Sequence, residues 1–360
     1  MSNLPNVPLD EYSGGLRQRL RTALLVALLA VVPLAVLIYT AREGLHAFTT
    51  RADVQAFSIS FLSILFEAIP FVLLGALVSG LIEMFVPSPS LLRFIPKGRF
   101  AQLAVGIGAG FLLPVCECGI IVIIRRLLRK GLPLRMALAY MLCAPIINPV
   151  VIVATFAAYR GRPTWLLVPV ARVVLGLCLG LIIAAWAGRS KFAADVKIAV
   201  ESSAGTDEQR SRLTVAGKLS AALDHTLTEF LDVVLFLIAG AAVAALLQTA
   251  VSRAALAGFG HSPTLAVPGM MGLALVLNLC SEADAFVAAT LSAALSVAAQ
   301  LAFMVLGPML QIKLILMYTM VFRRRLILVL VATILAVVFV ALELTSLAEY
   351  YWGLGVHHGP

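Results

Sequence analysis

Seven apolar runs dominate this chain, at residues 23–40, 57–85, 134–158, 164–187, 226–250, 297–320 and 326–345. Each reaches the roughly 18 residues that a helix needs to cross about 30 Å of hydrocarbon. Within a bilayer the peptide groups find no water, so a spanning segment must bond its backbone internally. Long continuous runs, without strand-like alternation, specify helices. Composition agrees, with 61% of residues hydrophobic and 12% charged, where a soluble domain carries roughly 25% charged. The chain therefore reads as an all-α polytopic membrane protein, with the lipid bilayer as its first partner.

The first run follows Arg17, Arg19 and Arg21 and ends at Arg42-Glu43. It is longer than a signal-peptide core and has no small-x-small cleavage site, so it is read as an extra N-terminal transmembrane helix. Cys116, Cys118, Cys143, Cys178 and Cys280 all fall in apolar stretches, which fits reduced, membrane-buried thiols and not a secreted disulfide framework. The net charge of +9 fits the positive bias of cytoplasmic loops. No folded basic face is present for nucleic acid.

Two further apolar stretches, 101–124 and 265–290, are interrupted near their centres. The first breaks at Pro114-Val115-Cys116-Glu117-Cys118-Gly119, the second at Asn278-Leu279-Cys280-Ser281-Glu282-Ala283-Asp284. A polar linker, 188–224, divides the chain into halves that resemble each other. Glu67 and Gly75-Ala76 match Asp232 and Gly240-Ala241 at an offset of 165 residues. Cys116 matches Cys280 at 164, and Ala139–Pro145 matches Ala302–Pro308 at 163. The expected organisation is a tail and first helix (1–54), repeat 1 (55–187), a cytoplasmic linker (188–224), repeat 2 (225–346) and a C-terminal tail (347–360).

Basic residues set the orientation. Arg17, Arg19 and Arg21 place the N-terminus inside. If 101–124 spanned, Arg125, Arg126, Arg129, Lys130 and Arg135 would lie outside. If it dips in and returns, they stay inside, together with the linker and Arg323-Arg324-Arg325. The halves then form two inverted-topology repeats, each with a broken or re-entrant helical hairpin, an arrangement characteristic of secondary transporters. Should both interrupted segments span, the repeats would be parallel.

Four groups of residues could bear chemistry. Cys116, Glu117 and Cys118 place two soft donors around a carboxylate at a point where proline and glycine open the helix. A single membrane cysteine is more often a small apolar filler. Asn278, Cys280, Ser281, Glu282 and Asp284 put two acids into an apolar stretch, where each costs ~2.5–3.5 kcal/mol on insertion scales and marks an ion or proton path. A solvated hairpin edge is the plainer alternative. Cys143 with Asn148, and its repeat partner Gln311, follow proline-broken helix. The two amides either bind a ligand or cap a kink. Glu67 and Asp232, at matched positions, are candidate proton-coupling groups. Arg172 and Lys313, also in apolar runs, could instead pair with one of them. Runs such as Gly106-x-Gly108-x-Gly110, Gly176-x-x-x-Gly180 and Gly75-x-x-x-Ser79 are read as helix-packing surfaces. No phosphate loop, nucleotide fingerprint or histidine-based zinc motif occurs, so no cofactor or metal is expected.

The Pro114–Gly119 break, the Lys130-Gly131-Leu132-Pro133 turn, the Ala144-Pro145-Ile146-Ile147-Asn148-Pro149 run and the Cys280–Phe286 run together resemble the bacterial predicted permeases, a family that includes the organoarsenical efflux permeases. The resemblance spans about 55–345. It implies a multi-pass permease of the inner membrane, not an enzyme, and in the arsenical branch it implies export of trivalent organoarsenicals on thiol ligands. The leading expectation is a secondary transporter for a small soft substrate or ion, coupled to protons. A permease for a metal cation, a permease subunit that needs a partner protein, a channel and a membrane thiol redox enzyme stay open, as does a homo-oligomeric state.

Overall fold

The computed structural model describes residues 51–87, 93, 95–96, 98–113, 115–189, 192, 195–196, 214–250, 263–292 and 295–352. The apolar run at 23–40, Pro114 and most of the polar linker lie outside the described residues. The chain divides into two compact units, Met1–Ala56 and Phe57–Pro360. Of the first, only the opening turns of one helix are described.

Twelve helices are named here among the described residues: α1 (Arg51–Phe85), α2 (Arg99–Leu112), α3 (Glu117–Arg129), α4 (Leu134–Ile147), α5 (Pro149–Ala158), α6 (Leu167–Ala187), α7 (Val215–Ala250), α8 (Pro263–Leu277), α9 (Ser281–Thr290), α10 (Val297–Met309), α11 (Ile312–Tyr318) and α12 (Arg324–Trp352). Among the described residues, six helical stretches are long and apolar enough to cross a membrane: Val54–Phe85, Leu134–Ala158, Leu167–Ala187, Gly217–Thr249, Val297–Tyr318 and Arg324–Ser346. These coincide with the six expected runs beyond residue 55. The interrupted stretches each become two short helices, α2 then α3 and α8 then α9. Helix α7 starts at Val215, so residues 215–224 of the expected linker are helical. Thr214 marks the early start, because its hydroxyl accepts a hydrogen bond from Gly217 N at 3.3 Å and so caps the helix.

Burial sorts the spans into an inner and an outer set. Val297–Tyr318 is 83% buried and Leu134–Ala158 is 72% buried, against 28% for Val54–Phe85. Thus α4–α5 and α10–α11 form the core, and α1, α6, α7 and α12 present large apolar side chains outward, Phe66, Leu231 and Leu344 among them. Such an outer surface is stable only against lipid. Cys178 belongs to it: this thiol is exposed on α6 and lies among the apolar side chains of that outer surface.

The two halves share an order of elements and a pattern of contacts. Helix α2 packs on α4 as α8 packs on α10, α4 on α6 as α10 on α12, and α3 on α4 as α9 on α10. Contacts between halves are reciprocal, α5 with α9 and α11 with α3. Helices α1 and α7 cross antiparallel. Thr226, early in α7, reaches Ala76 O, late in α1, at 3.4 Å, while Ala241 and Ala244, late in α7, pack with Phe61 and Ile64, early in α1.

Each end of the bundle collects a distinct set of loops. At one end, Lys130 bonds the last carbonyls of α1, Gly188 abuts Arg135, and Arg323 N donates to Asp195 O at 2.7 Å. The basic cluster 125–135, the start of the linker and the 323–325 cluster therefore share one end. At the other end Arg162 donates to Ser292, and Tyr159 OH donates to Gln300 at 2.7 Å.

Close approach of α1 to α3 depends on Gly75. A Cβ there would sit 2.7 Å from Gly119 Cα and 2.8 Å from Gly119 O, and backbone cannot rotate aside. Gly75→Ala is expected to cost about 1–3 kcal/mol through overpacking. Gly108→Ala, whose Cβ would meet nothing within 4 Å, should be near neutral. Thermal unfolding of the two purified variants makes the comparison, and an equal effect would rule out the close contact.

Candidate functional site

The two broken segments meet at their first helical residues. Cys116 is extended (φ −68°, ψ 168°) and precedes Glu117 at the start of α3. Cys280 is likewise extended (φ −77°, ψ 160°) and caps α9 through its sulfur, which accepts from Ala283 N at 3.4 Å. The Ser281 hydroxyl donates to the Glu117 carboxylate, and both residues are buried. Glu117 and Ser281 are separated by 164 residues, the same offset as Cys116 and Cys280. Two helix N-termini, each bearing partial positive charge, thus converge on one carboxylate, a favourable place for an anionic group.

Breaking a helix inside a membrane frees carbonyls that must find donors. Around 278–281, Cys280 O takes the Asp284 N–H at 2.9 Å, and the other three carbonyls take buried side chains from elsewhere. Lys313 Nζ reaches Asn278 O at 2.9 Å, Gln311 Nε2 reaches Leu279 O at 2.7 Å, and Arg172 Nη2 reaches Ser281 O at 2.8 Å. Arg172 Nη1 also donates to Thr155 Oγ1 at 2.6 Å. Asn278, held at φ 51°, accepts from Lys313 N at 3.0 Å and donates to Leu275 O and Val276 O. Asn148 caps α5, its side chain accepting from Val150 N at 2.9 Å. The three candidate amides are therefore engaged in backbone repair, with Gln311 Oε1 left without a hydrogen-bond partner among the described residues.

The remaining candidates separate into a central group and outliers. Asp284 is 1% exposed, and its Oδ2 has no hydrogen-bond partner among the described residues. It fits because Gly307 faces it: a Cβ there would lie 2.5 Å from Oδ2. Arg172, Glu117, Lys313 and Glu67 are the charges that act on Asp284. Glu67 is half-buried beside the Cys280 thiol, with Oε1 lacking a hydrogen-bond partner among the described residues. Glu282 is half-buried at the same helix start. Cys116 and Cys118 lie side by side, and Lys313 is the cation nearest them in effect. Cys143 is buried away from this group, against Gly180 and Met309. Asp232 is exposed and pairs with Arg125 at 3.5 Å. Arg172 and Lys313 thus pair with neither Glu67 nor Asp232 within ion-pair distance. Among the described residues no three His, Cys, Asp or Glu side chains are grouped to hold a metal ion.

Sequence reasoning missed Glu83, a fully buried carboxylate that pairs with Arg126 at 3.0 Å and Lys130 at 3.5 Å. It also missed Ser79 and Glu229, hydrogen-bonded at 2.5 Å between α1 and α7. The signal for Glu83 was available: an acid near the end of one apolar run, with cations near the end of another at the same membrane face.

This is a multi-pass α-helical membrane protein with a polar, thiol-bearing centre built from two broken helices. Residues 54–346 match the family described as "Predicted permease", and the chain belongs to that family. It is 42% identical over 290 residues to the "UPF0718 protein YcgR" of Bacillus subtilis, covering 81% of this chain and 97% of that one. It is 37% identical over 275 residues to a Streptococcus mutans protein named "Putative two-component membrane permease complex subunit", covering 76% of this chain and 89% of that one. No solved structure matches significantly.

Proposed function

We propose that the protein is a secondary transporter of the bacterial inner membrane that exports a small thiophilic solute, trivalent organoarsenicals being the class its thiols suit best. The observation that carries this reading is the meeting of α3 and α9 at Glu117 and Ser281, with thiols on the residues immediately before and after Glu117. Unwound backbone at the centre of a helical bundle is stable only where protein encloses it or a cavity is lined. Transporters place substrates at such half-helix termini. Cys116 and Cys118 are the proposed ligands, since trivalent arsenic prefers sulfur as other soft centres do.

An inverted repeat is supported by the reciprocal contacts between halves and by the antiparallel crossing of α1 and α7. A re-entrant α2–α3 hairpin is supported by the contacts of Lys130 with the end of α1, which bring both ends of the hairpin to one face. The N-terminus is then cytoplasmic by the positive-inside bias. Glu67 and Asp284, each with an oxygen that lacks a hydrogen-bond partner, are the proposed proton carriers. Asp232, on the surface with Arg125, contributes outside this centre.

Everted membrane vesicles supplied with a trivalent methylarsenical test the reading. Uptake should depend on an imposed proton gradient and fall to the empty-vesicle level in the Cys116→Ser/Cys118→Ser double variant. Uptake absent from vesicles that contain the folded protein would remove the arsenical assignment.

The Streptococcus mutans relative's name favours a second reading, in which this chain is one subunit of a permease complex. Gentle solubilisation from the native membrane should then yield a stoichiometric second polypeptide. Recovery of this chain alone, in a form active in vesicles, would exclude it.

A further inference from the structure

Away from the central site, a small open cavity of about 70 Å³ lies between α3 and α7. Its α3 wall carries Arg125, Arg126 and Arg129, and its α7 wall carries His225, Glu229 and Asp232. The two walls therefore differ in sign. Arg126 is already committed to buried Glu83 at 3.0 Å. The charges left over are Arg125 and Arg129 on one side and Glu229 and Asp232 on the other, which leaves the lining close to neutral but polarised.

Hydrogen-bonding capacity is unspent on both walls. Arg125 Nε has no hydrogen-bond partner among the described residues, and its one ion pair, to Asp232, is long at 3.5 Å. The side chain of Arg129, a half-buried residue, makes no hydrogen bond or ion pair among the described residues. Glu229 is 6% exposed; its Oε2 accepts from Ser79 at 2.5 Å, and its Oε1 has no hydrogen-bond partner among the described residues. A buried carboxylate oxygen without a donor is costly. A ligand that presents a phosphate to the guanidiniums and a hydrogen-bond donor to the carboxylates would satisfy both walls together.

The surroundings show where that ligand comes from. The cavity lies at the end of the bundle that holds the basic clusters, where headgroups meet protein. Beside it, α7 presents Leu227, Leu231 and Leu235 outward, 58%, 60% and 42% exposed. An acyl chain beneath a bound headgroup would lie along these leucines, whereas a free solute would leave them unused. Basic pockets between helices at this membrane level are known as lipid headgroup sites. The carboxylates on the opposite wall make this one unsuited to a purely anionic headgroup, because each would repel it.

We infer that this cavity is a binding site for an aminophospholipid, with the phosphodiester on Arg125 and Arg129 and the primary ammonium on Glu229 and Asp232. Neither the proposed transport cycle nor the family assignment enters the inference. The choline headgroup is discriminated against because a quaternary ammonium has no N–H to donate. The glycerol headgroup is discriminated against because it leaves the phosphate charge uncompensated beside two carboxylates.

Native mass spectrometry of the delipidated full chain in detergent tests the site directly. The probes are phosphatidylethanolamine, phosphatidylcholine and phosphatidylglycerol with identical acyl chains. Phosphatidylethanolamine should be retained about tenfold more strongly than phosphatidylcholine, the equivalent of one charge-assisted hydrogen bond. Arg125→Gln/Arg129→Gln should lose that retention. Asp232→Asn, at a half-exposed side chain whose replacement leaves the fold intact, should lose the preference over phosphatidylcholine while keeping phosphate-dependent binding. Equal retention of the three lipids, preference for phosphatidylglycerol, or an unchanged preference in Asp232→Asn would each overturn the inference. Displacement by equimolar glycerophosphoethanolamine would show a site for an aqueous solute and would overturn it as well.

Discussion

Arg172→Met should lower the stability of the folded protein by about 3–5 kcal/mol, the cost of removing one member of a buried charge group. Methionine retains much of the apolar stem, so the loss comes from the guanidinium. Ser281 O and the Thr155 hydroxyl lose their donor, and Glu117 and Asp284 lose a cation that acts on both. The change is felt at the junction itself, because Ser281 is the residue that meets Glu117. Asp284→Asn placed in the Arg172→Met background should recover part of the loss, since it removes a carboxylate that has become uncompensated. Unfolding in mixed micelles titrated with a denaturing detergent, run as a double-mutant cycle, reads both numbers. A single-variant effect below ~1 kcal/mol, or strictly additive variants, would show that Arg172 does not hold this centre together.

Glu83→Gln should be similarly damaging, about 3–5 kcal/mol, at a different place. Glu83 and its partners Arg126 and Lys130 have side chains 1%, 6% and 3% exposed. Neutralising the acid leaves two buried cations facing each other. Lys130 also bonds Ile82 O at 2.9 Å, Glu83 O at 3.1 Å and Val86 O at 2.6 Å, so it closes the C-terminal end of α1 while the ion pair holds it in place. The neighbouring Arg125–Asp232 pair supplies an internal control. Its side chains are 16% and 52% exposed, and Asp232→Asn should cost no more than ~1 kcal/mol. The contrast between the two substitutions, measured in one detergent, tests burial as the cause. Equal effects would refute it.

Much of the architecture was legible before any coordinates. The apolar runs beyond residue 55 became the six long spans because a segment of that length and composition has one stable state in a bilayer. Both helix breaks fell where Cys116 and Cys280 stand, since proline, glycine and clustered polar residues weaken a helix wherever it packs. The helix start at Val215 was hidden because a charged, serine-rich stretch precedes it and the apolar signal begins later than the helix. The exposure of Cys178 was invisible because an apolar helix looks the same whichever face meets lipid.

The site was legible in part, and the division has a physical basis. The sequence singled out Cys116, Glu117, Cys118, Cys280, Ser281 and Asp284 because polar groups in an apolar stretch are costly and therefore purposeful. It could not assign partners. Arg172 and Lys313 were candidates to pair with Glu67 or Asp232, and the fold instead directs them to backbone carbonyls at the α9 break. Gln311 and Asn148 could have been ligands or caps, and their hydrogen bonds to backbone, like those of Asn278, are a matter of position alone. Sequence by itself determined that this chain is a helical membrane protein and where its helices break, because hydropathy and backbone bonding act locally along the chain. Only the tertiary structure decided that Glu117 meets Ser281, that Glu83 meets Arg126 and Lys130, and that Asp232 faces outward. Those outcomes depend on which helix faces are brought together from residues 43 to 164 positions apart, and no local property of the chain specifies that.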